Sequence, residues 1–137
     1  MTAIANGLPQ SAYRDNLAAT LQELRTCYAA GCFIATLFLA AKVLEFCLKI
    51  ILTNSTVPPD KWKPLGLWKL IGCVRDNCVE VQLLDGLGAI ANLINDNRNP
   101  AVHATERNPI PSKEQANMVI YAMADVMKRT FGQKTGP

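Results

Sequence analysis

His103 is the chain's single histidine, and Arg98 lies five positions before it. Imidazole exchanges protons near neutral pH, and a guanidinium grips two oxygens of a phosphate at once. Brought together where helices meet, the two could form a pocket for a phosphate group. Arg98 follows Ile94 by four residues and so extends an apolar stripe of Leu87, Ile90 and Ile94. A guanidinium on such a face needs a partner, because a buried unpaired charge is costly. The Asn99-Pro100 pair is expected to end that helix or open the next turn, bringing His103 back beside Arg98. The plainer alternative is that Arg98 stabilises a helix C-terminus through the macrodipole and that His103 is an ordinary loop histidine.

Other chemistries are excluded by what the chain lacks. One histidine rules out H-E-x-x-H and other multi-histidine metal sites. There is no P-loop or G-x-G-x-x-G phosphate cradle, and none of Ser11, Ser55 and Ser112 stands in a nucleophile elbow. The five cysteines, Cys27, Cys32, Cys47, Cys73 and Cys78, are odd in number and form no C-x-x-C. On one continuous helix Cys27 and Cys32 would point about 140° apart. The thiols are therefore expected to be free, reduced and mostly buried, with no disulfide framework, no metal and no cofactor.

The elements that must position these residues are helical almost throughout. Leu17, Leu21, Leu24 and Tyr28 mark a first helix, with Gly31 as its stop. A second helix is predicted over about residues 32–52. Phe33, Leu37, Phe38, Ala41, Leu44, Leu48 and Ile51 form one stripe, and Leu39, Val43, Phe46 and Ile50 a second. Such a helix is central in a bundle, or half of it faces another subunit. A proline-rich loop over 54–64 precedes a short helix over about 65–76, using Leu67, Trp68, Ile71 and Val74. A fourth helix is expected over about 80–97, with Gly86 and Gly88 allowing a close crossing. Ser112 and Gln115 read as a capping box for a last helix ending near Phe131, with Val119, Ala122, Met123 and Val126 inward. The fold class expected is all-α, an up-and-down bundle of four to five helices forming one domain over 1–137, its ordered core about 11–131.

Composition agrees. Of 137 residues half are hydrophobic and 18% charged, below the usual share of about 25%. The net charge of +3 permits an anionic partner without demanding one. The longest uncharged run, residues 26–41, is too short for a membrane span of roughly 20 residues, and no secretory signal is visible at the start. A cytoplasmic location is expected.

The segment Asn97-Arg98-Asn99-Pro100-Ala101-Val102-His103 resembles the R-[polar]-x-x-x-H signature of the HEPN superfamily, with Asn99 in the polar place. Residues 40–49, AAKVLEFCLK, are similar to the A-x-x-x-L-E-x-x-L-K helix of several HEPN branches, and the order of helices agrees over about residues 17–131. The resemblance implies a metal-independent endoribonuclease, of the kind found among prokaryotic toxins and antiviral-defence effectors, that dimerises to build its site. It implies Arg98 and His103 as catalytic, with Asn99 assisting. Glu45 matches the family pattern as a structural polar contact rather than a catalytic group. Some HEPN domains only bind or assemble.

Lys61, Lys63, Lys69 and Arg75 are candidate RNA contacts, the plainer alternative being that the lysines are merely solvated. Trp62 is left open between base stacking and packing, and Trp68 is assigned to the core because it fits the helical stripe. The expected partners are RNA, a second copy of the chain, and an antitoxin or other protein; no membrane is expected. Two further readings stay open. One is a non-catalytic helical interaction module, suggested by the surplus of apolar residues. The other is a nucleotide-binding module without cleavage.

Overall fold

A computed structural model describes residues 8–83, 87–102 and 111–131, with side chains over 13–83, 87–94 and 111–131. Five α-helices hold 79% of the described residues, and no strand occurs among them. They are α1 (Leu8–Ala29), α2 (Phe33–Thr53), α3 (Leu67–Asn77), α4 (Leu87–Val102) and α5 (Lys113–Phe131), with a single 3-10 turn at Pro59–Lys61. None of the described helices is long and apolar enough to cross a membrane.

The α1–α2 joint is set by Gly31, whose φ of 78° favours a residue without Cβ. Its N–H donates to the carbonyl of Tyr28 at 3.0 Å and that of Cys32 to the carbonyl of Cys27 at 2.9 Å, the two bonds of a Schellman closure. Cys27 and Cys32 therefore close one turn. The 140° separation applies only to an unbroken helix, and this helix stops between them.

α2 is the hub of the bundle and packs against α1, α3, α4 and α5. Of its two apolar stripes, Leu37, Ala41, Val43, Leu44, Leu48 and Ile50 are buried, whereas Phe33, Phe38, Leu39, Phe46 and Ile51 are half-buried. The helix is thus central in the bundle, as one of the two readings expected, and keeps apolar surface at Phe33, Ile34 and Phe38 near its start. α5 lies along α2 with Val119, Ala122, Met123 and Val126 inward, as the periodicity predicts. Its start is the expected capping box. The Gln115 N–H donates to Ser112 Oγ at 3.1 Å, and the Ser112 N–H donates to Gln115 Oε1 at 3.0 Å. Loss of such a cap costs about 1 kcal/mol. Tyr28 donates its hydroxyl to Asn117 Oδ1 at 2.5 Å and ties α1 to α5.

Two boundaries depart from expectation. α4 begins at Leu87 rather than near residue 80, and 79–83 form a turn, a bend and irregular chain. Val79 and Val81 are weak helix formers, and Cys78 accepts from Val81 in a turn at 2.9 Å instead of continuing the helical ladder. The Arg129 guanidinium donates to the Gln82 carbonyl and ties this stretch to α5. At the other end α4 runs through Asn99 and Pro100 to Val102, so the helix does not break where the Asn-Pro pair suggested. A proline close to a helix end forfeits one backbone bond. The buried stripe of Leu87, Ile90, Ala91 and Ile94 holds the helix in place against that loss.

The thiols are free, but only Cys47 and Cys78 are buried; Cys27 and Cys73 are half-buried and Cys32 is exposed. The expectation that most are buried therefore fails, chiefly because the chain turns at Gly31 and leaves Cys32 at the surface. Burial pushes the Cys47 thiol up to about 12, against a smaller opposing effect of its hydrogen bond with Thr130. Burial, then the charges of Glu80 and Cys73, raise Cys78 as well. At mildly alkaline pH a thiol-disulfide reagent is expected to label Cys32 first and to reach Cys47 and Cys78 only on unfolding. Because the folded chain keeps the Cys47 proton that the unfolded chain releases near its ordinary value of 9.0, its contribution to stability is full below that pH and is lost as pH rises towards about 12. Denaturation titrations across that window check the sign.

Candidate active site

α4 carries the segment singled out for chemistry. Leu87, Ile90, Ala91 and Ile94 are buried, and the helix packs on α2, α3 and α5. Position 98 lies one turn beyond Ile94 on this same helix, and Asn99 follows it. Both candidate positions thus lie on a helix rather than in a turn. His103 lies outside the described residues. Glu45 is half-buried on α2, where it borders a small hollow of about 220 Å³ with Phe38, Ala41 and Lys42. Among the described residues no group of histidines, cysteines and acids could hold a metal ion.

The candidate RNA contacts divide sharply. Trp62 is only 2% exposed, and its Nε1–H donates to the Val57 carbonyl at 3.3 Å. An indole held this way cannot stack on a base, so its assignment as an RNA contact is corrected to a loop anchor. Trp68 is the reverse case: 52% exposed, against its expected place in the core. The buried face of α3 is formed by Leu67, Leu70, Ile71 and Val74. Position 68 is about 100° round the helix from Leu67, which points the indole outward. Leu70 was missing from the expected stripe, and including it would have revealed the offset.

Trp68 borders an open groove of about 670 Å³ between the 56–61 loop and α3. Lys61 and Lys69 line the same groove, as do Thr56, Asp76 and Asn77. Lys63 is exposed but does not line it; its carbonyl instead accepts from Lys49 Nζ at 3.1 Å. Gly88, in the first turn of α4, faces the Trp68 ring. An added methyl would sit 3.6 Å from the ring, so the glycine permits a close approach without being demanded by it. Gly86 lies outside the described residues.

No family model matches the chain, and comparisons with curated proteins and with solved structures likewise found no match.

Proposed function

We propose that the protein is a metal-independent endoribonuclease of the HEPN type, acting as a toxin or antiviral-defence effector. The observation that carries this reading is the Arg98-Asn99-Pro100-Ala101-Val102-His103 segment, with its signature spacing in a chain that folds as an all-helical bundle.

In this mechanism the ribose 2′-OH attacks the adjacent phosphorus and the bond to the 5′ oxygen breaks. His103 moves the proton, and Arg98 stabilises the charge that gathers on the phosphorane oxygens. Asn99 assists by hydrogen bonding. The reaction needs both a base and an acid, yet each chain has one histidine. A two-fold homodimer that brings two such segments to one phosphate supplies both. This count of functional groups supports the dimer, as does the apolar surface left at Ile34, Met118 and Phe131.

The test is incubation of the pure protein with a mixed RNA pool in EDTA. Cleavage that leaves 2′,3′-cyclic phosphate ends and spares DNA is the expected outcome. Metal dependence, or equal cutting of DNA, would overturn the mechanism. RNA retained without cleavage would identify a binding module instead. Mixing an Arg98→Ala chain with a His103→Ala chain tests the composite site, and full activity from a monomer ends it.

A further inference from the structure

We infer that the groove between the 56–61 loop and α3 holds one nucleotide of single-stranded RNA, its base stacked on Trp68 and its phosphates met by Lys61 and Lys69. The inference rests on the reading of the chain as an RNA-acting protein, but binding here does not require cleavage.

Three observations converge on the groove. A tryptophan half open to solvent is uncommon, since large apolar side chains are usually covered. One edge of this ring faces Gly88, where an added methyl would come no nearer than 3.6 Å, so the glycine leaves the indole room at the groove's edge. Lysines from two different elements, Lys61 at the end of the 3-10 turn and Lys69 on α3, border the same space. Neither is in a salt bridge among the described residues. The volume, about 670 Å³, falls in the range of small-ligand sites and exceeds what a lone ion would need.

Asp76 lines the groove too, so its charge is two lysines against one carboxylate. Charge alone therefore cannot hold a polyanion there, and stacking must supply much of the affinity. Single-strand binders work this way, with base–aromatic stacking tolerant of sequence. A duplex, whose bases are already stacked on each other, offers no free face to the ring. Gly88 and Arg98 are on the same helix, separated by about 15 Å along its axis.

The chain's two tryptophans make the test direct. Trp62 is enclosed and Trp68 is open, so a stacked base quenches Trp68 fluorescence selectively. The probe is a short 2′-O-methyl oligocytidine, which lacks the attacking hydroxyl and cannot be cut. Saturable quenching is expected. Trp68→Leu should abolish it and weaken binding, measured by anisotropy of a labelled probe, by about tenfold or more, as for loss of a stacking platform. Trp68→Phe should keep most of the affinity. Lys61→Ala and Lys69→Ala should each weaken binding a few-fold and flatten its salt dependence, whose slope should stay near that of about two phosphate contacts. Absence of quenching, or unchanged affinity in Trp68→Leu, overturns the groove. So does self-association of the protein that Trp68→Leu abolishes, which would make the surface a contact between copies. RNA cleavage without quenching would overturn the groove alone. Quenching without cleavage would leave the groove standing and remove the catalytic reading.

Discussion

Replacing His103 or Arg98 by alanine is expected to lower RNA cleavage by at least about a hundredfold while leaving helical content unchanged. Loss of a proton-transfer group typically costs about 10²–10⁴ in rate, and loss of a group that stabilises developing charge costs a comparable amount. Arg98→Lys should recover little of the loss, because an ammonium cannot hold two phosphate oxygens in the fixed fork of a guanidinium. Asn99→Ala should have the smaller effect of an assisting hydrogen bond. Single-turnover cleavage of a labelled RNA, with circular dichroism as the control for folding, separates these cases. Wild-type rates in His103→Ala would remove the histidine from the mechanism.

The second large effect concerns stability and pits the two tryptophans against each other. Trp62→Ala should destabilise the protein by roughly 3–5 kcal/mol, the usual cost of deleting a fully enclosed aromatic side chain. It should also release the 54–64 loop, because the indole is buried in the core cluster while its N–H closes the loop on the Val57 carbonyl. Trp68→Ala should change stability by no more than about 0.5 kcal/mol. Urea denaturation of the two variants compares them directly. Equal losses would contradict the burial that distinguishes them.

These tryptophans also show what the sequence could and could not reveal. Periodicity finds a buried face when the chain supplies several apolar residues at regular spacing, as Val119, Ala122, Met123 and Val126 do on α5. It misleads by one position when an aromatic residue stands beside the true stripe, as Trp68 stands beside Leu67. A tryptophan in a loop carries no periodic signal, and only the folded chain shows that Trp62 turns inward. Local chemistry was more legible. The Ser112–Gln115 cap and the Gly31 stop each depend on a few neighbouring residues, and both occur as expected. The helix continues through Asn99-Pro100 against their local preference, while the valines at 79 and 81, weak helix formers, stand before its start at Leu87. Of the candidate catalytic residues, the sequence pattern located Arg98 and Asn99 near the end of a helix. The assignment of roles rests on the resemblance of the 97–103 segment, since His103 lies outside the described residues.

The central position of α2 has a consequence for how the molecule opens. Each of the other four helices rests on it, so exposing its amides to water requires most of the bundle to separate. Amide hydrogens at Leu44, Cys47 and Leu48, at the centre of a helix buried on most sides, should therefore exchange with deuterium only through global unfolding. α3 is the shortest helix and has solvent along Trp68, Lys69 and Arg75, so it can loosen at lower free energy. The proposed RNA groove is built on that more pliable element, whereas Arg98 is carried by a helix whose first two turns are anchored to the slow-exchanging hub. Local opening could thus reshape the surface that receives RNA without disturbing the core that supports the candidate catalytic helix.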